Sequence, residues 1–218
     1  MAMVPDWLQD YLKPEDIEKI ENAIAQAEKG TTGEIVPMVV GRCSHVGHVP
    51  YLMMSLMVAS YLSIALFISR MDWFVVNDFW LIFGSVLAMV LGYGFANLNS
   101  VMRFCVPKDD QWHQVDRRAE LEFYEAGLQK TDGRTAILLF VSILERRAVV
   151  LADQGISVKL PADTWNGIVS KLIASVKDGQ MADGLGRAIL RCGEILGEHF
   201  PVGENGRNEL LDRLIIKD

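Results

Sequence analysis

The chain has 218 residues, a formal net charge of −7, half of its residues hydrophobic and 22% charged, a length that suits one domain with additions. Its mean hydropathy of +0.20 is high for a soluble domain, so an apolar excess must be concentrated somewhere. Three cysteines exclude a disulfide framework and the acidic balance argues against nucleic acid as a partner. Ordinary glycine, proline and aromatic contents exclude a disordered or low-complexity chain.

Residues 1–16 are acidic and lack the basic start and apolar run of a cleaved signal. Residues 14–29 read as an amphipathic helix with Ile17, Ile20, Ile24 and Ala27 on one face, Pro14 at its first position and Gly30 as its stop. A short β-rich run, EIVPMVV, follows over residues 34–40.

Between Arg42 and Arg70 there is no Asp, Glu, Lys or Arg, and a second uncharged run lies between Asp78 and Arg103. Spans over about residues 50–69 and 79–98 have the length a hydrocarbon core requires. The eight residues between Arg70 and Phe79 make the pair a tight helical hairpin, with Trp73, Phe74, Phe79 and Trp80 at its tip. Gly84, Ala88, Gly92 and Ala96 recur every fourth residue on the second span, and Ser55, Ala59 and Ser63 form a small-residue row on the first. Such rows let helices approach closely in lipid. They pack either on each other within one chain or, through the Gly84 row, on a second chain. Arg42, Arg103, Lys108, Arg117 and Arg118 flank the hairpin on the side of the termini, against Arg70, Asp72 and Asp78 at the tip. By the positive-inside rule both termini and the soluble part are cytoplasmic, in an inner membrane.

After the hairpin, residues 110–129 read as a helix with Leu121, Tyr124 and Leu128 at turn spacing. The apolar run at 135–144 reads as a strand buried on both faces, Glu145-Arg146-Arg147 as a turn, and 148–153 as a returning strand. Residues 163–176 and 181–199 are amphipathic helices, the second ended by Pro201. Neither flank of the hairpin has enough apolar surface to fold alone. The expected architecture is therefore one α/β domain with a small mixed sheet of three to four strands flanked by helices, interrupted by the hairpin. Its parts are residues 1–48, the hairpin at 49–99, and residues 100–218.

The stretches AEKGTTGEIVPMVV, FYEAGLQKTDGRTAILLFVSILERRAVVLADQGI, TWNGIV, and EHFP followed by NELLD resemble the TPM domain family. Its members include thylakoid-lumen photosystem repair proteins and an auxiliary subunit of a nicotinic receptor. The resemblance covers roughly residues 15–41 and 112–213, and the inserted hairpin is similar to the membrane-bound bacterial branch. That branch implies a LemA-type protein or another TPM protein as a partner. Some relatives are described as phosphatases, and the best known work outside the cytoplasm, against the charge argument for this chain.

With the strands at 34 and 135 parallel, Arg42, Arg103, Arg146 and Arg147 form a basic collar toward the lipid headgroups, each contributing about 1 kcal/mol on an anionic leaflet. The opposite sheet edge, about 23 Å away for a seven-residue strand, gathers Thr31, Thr32, Glu34, Thr131, Asp132, Arg134, Asp153 and Gln154. Those groups suit a divalent cation or a phosphate; equally, Glu34 or Asp153 pairs with Arg134 and the threonines finish turns. Asp132, Arg134 and Asp153 are the catalytic candidates of a metal-dependent phosphatase, in which a carboxylate-held metal activates water. The chain has no Cys-x5-Arg loop, Asp-x-Asp pair or Gly-x-Ser-x-Gly elbow. Cys43, His45 and His48, with Cys105 and His113 beyond the second span, are soft and borderline donors, but their spacing matches no tight zinc loop. Reduced cysteines follow from a cytoplasmic location. The expected function is a non-enzymatic accessory or assembly module of a membrane complex, needing no cofactor. The bilayer is its partner, with a membrane protein or a second copy beside it, and phosphohydrolase action is the alternative.

Overall fold

The computed structural model describes residues 4–43, 49–70, 77–96, 98, 107–131, 133–202 and 209–217. Its elements run α1 (Pro14–Glu28), β1 (Glu34–Val40), α2 (Val49–Ser69), α3 (Asp78–Ala96), α4 (Lys108–Glu125) and β2 (Ala136–Ser142). They continue through β3 (Arg147–Ala152), α5 (Gln154–Ser157), α6 (Asn166–Lys177), α7 (Met181–His199) and β4 (Ile215–Lys217). Two compact units result, residues 1–43 with 111–218, and residues 44–110.

The first unit is built on a four-stranded sheet in the order β3-β2-β1-β4. β1 lies parallel to β2, with Glu34 opposite Ala136, and parallel to β4, while β2 and β3 form an antiparallel hairpin. Every residue of β1 and β2 is buried, because their continuous apolar runs meet helices on both faces. Ile35, Val39, Ile137, Leu139 and Val141 face α1, α6 and α7. Val36, Met38, Val40, Leu138 and Phe140 face Val115, Ala119 and Phe123 of α4. The strand that precedes the hairpin is thus sandwiched between two strands that follow it, so neither flank could make this sheet alone.

Pro37 sits in the middle of β1 at no cost to the ladder. Glu34 donates its N–H to Thr135 O of the β2 chain at 3.2 Å, so the alternation of the strand points the amide of residue 37 away from β2. On that side β4 pairs only with Met38–Val40, and a proline short of the paired stretch loses nothing.

The α1 start follows the sequence: Pro14 is the first helical residue and the Asp16 carboxylate accepts the Lys13 N–H at 3.0 Å. The helix at 108–125 differs from its expected face. Of the three residues at turn spacing Leu128 is buried, while Leu121 and Tyr124 are exposed; within the helix Gln111, Val115, Ala119, Glu122 and Phe123 are buried. A buried Glu122, held by Arg118 and Lys217, outcompetes an apolar residue one position away because the ion pairs offset its desolvation.

The second unit is a helical hairpin. A β-carbon on Gly92 would lie 2.9 Å from Met54 Cα and one on Gly84 2.1 Å from the Tyr61 ring, so the glycine row of α3 is what lets α2 approach. Tyr61 Oη donates to Trp80 O at 2.5 Å, satisfying its hydroxyl between the helices. α2 turns Tyr61 and buried Ala65 toward α3, while Ser55, Ala59 and Ser63 are exposed. The expected small-on-small pairing within the hairpin is therefore replaced by larger side chains lying in the groove of the glycine row, which needs volume on the facing side.

Candidate functional site

The sheet edge where β1 and β2 begin gathers the polar residues singled out in the sequence, and folding divides them into three groups. Thr31 and Thr32 serve the end of α7. The Thr31 hydroxyl donates to Phe200 O at 2.8 Å and accepts from Gly33 N at 3.0 Å, and the Thr32 N–H donates to Phe200 O at 3.0 Å. Thr131 is buried, its hydroxyl accepting the Thr135 N–H at 3.3 Å. These hydroxyls finish turns and a helix end.

Glu34 faces another way. Its two carboxylate oxygens accept the N–H groups of Glu209 at 2.9 Å and Leu210 at 3.3 Å. On the open side of β1 the Ile35 N–H, which has no strand partner there, donates to Glu28 Oε1 at 2.8 Å. Burial pushes the Glu28 carboxyl up to about 8, outweighing the Ile35 hydrogen bond, and nearby Glu34 and Asp212 add to the rise. Burial likewise raises Glu34, against the two amide hydrogen bonds.

Arg134, Asp153 and Gln154 come together. Arg134 takes a left-handed backbone, φ 49°, which swings its guanidinium over the start of α5. There it meets Asp153 Oδ1 at 3.3 Å and Gln154 Oε1 at 2.8 Å. Asp153 Oδ1 also accepts the Gln154 N–H at 2.6 Å, while Oδ2 is buried without a hydrogen-bond partner among the described residues. A β-carbon on Gly155 would lie 2.5 Å from Gly133 O, so only glycine lets this turn close. The pairing of Asp153 with Arg134 is the ion-pair alternative of the sequence reading. Asp132 lies outside the described residues.

A divalent cation fits this group poorly. The one free oxygen of Asp153 has a guanidinium on its own carboxylate, and no three His, Cys, Asp or Glu side chains converge among the described residues. Cys43 donates its backbone N–H to Glu145 at 3.2 Å, and burial pushes its thiol up to about 11, far from a thiolate ligand. His45, His48 and Cys105 lie outside the described residues, and His113 is exposed on α4.

At the other end of the sheet, Arg42 and Arg146 are exposed, Arg146 in the β2–β3 turn with φ 50°. Arg147 is engaged within the unit: its guanidinium holds both oxygens of Asp116 at 2.9 Å and stacks 4.9 Å over the Trp112 ring. Arg103 lies outside the described residues. The buried group at this end that sequence reasoning missed is Ser142 with Glu145: the Ser142 hydroxyl donates to the carboxylate that also receives the Cys43 N–H. A glutamate inside a charged turn gave no sign that it would be buried.

Residues 101–195 match the family model described as the TPM domain. Over that stretch the chain is similar to the TPM domain family. The matched stretch holds α4, β2, β3, α6 and most of α7, including Arg134 and Asp153. No curated protein matches the chain. Among solved structures, the NMR structure of BA42 protein from the psychrophilic bacterium Bizionia argentinensis aligns over 100% of both chains with a TM-score of 0.60 and 18% identity. At that identity the likeness is one of fold, a mixed four-stranded sheet flanked by helices.

Proposed function

We propose that this is an integral membrane protein in which the hairpin anchors the TPM domain, and that the domain serves a membrane complex as a non-enzymatic accessory or assembly module. One observation carries the reading. Of twenty-six exposed large apolar side chains among the described residues, twenty lie between Tyr51 and Leu98. The two helices, Pro50–Ser69 and Asp78–Ala96, are only 6% and 17% buried. A soluble core helix of that length hides its apolar face against its own chain. Each exposed leucine, isoleucine or phenylalanine is worth about 1.5–3 kcal/mol when moved out of water. Lipid is the environment that satisfies twenty of them.

The excess of Arg42, Arg103, Lys108, Arg117 and Arg118 over the single Arg70 of the tip supports cytoplasmic termini. The accessory role is supported by the way the polar edge spends its side chains on turns, caps and one ion pair. Membranes washed at alkaline pH are expected to retain the full chain, and a C-terminal green fluorescent fusion to fluoresce. Release by the wash, or a dark fusion that an alkaline phosphatase fusion complements, counts against the reading. Metal-stimulated hydrolysis of a generic phosphoester by the detergent-purified chain, lost in Asp153→Asn, would replace the accessory role by catalysis.

A further inference from the structure

Helices α6 and α7 pack closely where a β-carbon on Gly184 would lie 2.5 Å from Ser175 Cβ, while nothing stands within 4 Å of where Gly167 would carry one. Between them lies a cleft of about 370 Å³, within the size range of small-molecule sites. Its floor is apolar, from Ile168, Leu172, Ala188 and Ile195, and its rim carries Lys171, Arg187 and Arg191.

We infer that this cleft binds a small amphiphilic anion, its apolar body on Ile168, Leu172, Ala188 and Ile195 and its carboxylate or phosphate head between Lys171 and Arg187. The charge census selects that chemistry. Arg191 is taken by Glu194 at 2.6 Å, and Asp183 on the same helix acts on Lys19 of α1. Lys171 and Arg187 have no salt-bridge partner among the described residues, although the chain as a whole is acidic. Arg187 Nη2 donates to Ser175 Oγ at 3.0 Å, which orients the guanidinium and leaves its other donors for a ligand. An uncharged apolar ligand would fill the floor but leave both cations unanswered. A bare anion would answer the cations and leave the floor wet.

The cleft lies wholly within the α/β unit, so ligand binding and membrane anchoring fail independently. The test is isothermal titration of the full chain in lipid nanodiscs, with protein-free discs subtracted, using octanoate, octyl phosphate, 1-octanol and inorganic phosphate. One saturable site is expected for octanoate, octyl phosphate or both, and the better of the two identifies the head group. Octanol and inorganic phosphate are expected to bind at least tenfold more weakly. Lys171→Gln with Arg187→Gln should weaken the anionic amphiphile at least tenfold. Gly167→Leu, which adds a side chain to the lining where a β-carbon meets nothing within 4 Å and keeps both charges, should do the same. Circular dichroism checks each variant, and either folded variant suffices. No saturable binding, octanol or phosphate binding as tightly as the amphiphile, or unchanged affinity in a folded variant overturns the inference.

Discussion

Four buried or half-buried carboxylates in this domain stand where backbone partners are missing. Glu28 receives the Ile35 N–H on the open side of β1, Glu34 receives Glu209 and Leu210, Glu145 receives Cys43, and Asp153 receives Gln154. A buried N–H without an acceptor is costly, and a carboxylate supplies the strongest one. The cost falls on the carboxylate. Glu28, ordinarily near 4.5, is pushed up to about 8 by burial, so the folded chain holds a proton that the unfolded chain releases. Between pH 4.5 and about 8 the folded state binds more protons than the unfolded one, and stability therefore falls as pH rises through that window. Glu28→Gln keeps an acceptor for Ile35 and cannot ionise. Its melting curves are expected to gain about 2 kcal/mol over the wild type at pH 8, discounted for partial exposure, and almost nothing at pH 4.5. Melting profiles that run parallel across that range would show that Glu28 does not titrate this way.

At the scale of elements, β4 is held by its last residue. Lys217 pairs with fully buried Glu122, which Arg118 also holds at 2.7 Å, and with Glu125 at 3.4 Å. Lys217→Ala leaves Glu122 buried with one cation, and is expected to cost about 2 kcal/mol in a denaturant titration. Adding Glu122→Gln should recover part of that loss; a double variant less stable than the single one would argue against the ion pair as the cause. In the hairpin, Gly92→Leu forces a side chain against the Met54 backbone, 2.9 Å from where its β-carbon must sit, and should weaken α2–α3 packing by about 1–3 kcal/mol. Gly94→Ala, with nothing within 4 Å, should be neutral. Disulfide cross-linking between cysteines placed on the two helices reads both, and equal yields would mean the glycine row is not what sets the approach.

The same elements show what a sequence can carry. EIVPMVV and Met181–His199 were legible to the residue because their apolar patterns are long or continuous and flanked by stops. β4 was not: three residues, Ile-Ile-Lys, give no period, and their place depends on a lysine reaching a glutamate 95 positions earlier. The buried face of α4 is legible only through Leu128 just beyond it, because the residue that decides the rest, Glu122, is charged. At the polar edge, residue types suggested one cluster, but only folding reveals that Thr31, Thr32 and Glu34 serve the segments after α7 while Arg134 and Asp153 serve each other.

For the whole molecule, the decisive feature is that a central strand and its two neighbours lie on opposite sides of an insertion. The chain leaves β1 at its C-terminal end and must reach the start of β2, a parallel neighbour in register from Glu34 opposite Ala136. An α-helix of 18 residues spans about 27 Å, enough to return along a strand of seven residues, about 23 Å long. α4 alone is therefore a sufficient crossover, and the hairpin is not needed to close the sheet. Near the C-terminal end of β1, Asp116 holds Arg147 at the start of β3, and Glu122 holds Lys217 at the end of β4, so α4 is fixed by contacts within its own unit. Replacing residues 44–107 by a flexible Gly/Ser linker of about ten residues is expected to yield a water-soluble monomer. It should melt cooperatively and, by amide exchange, protect β1 and β2 most strongly. If the shortened chain instead aggregates or exchanges freely along β1, the hairpin is part of the folding unit and the insertion is structural rather than an anchor.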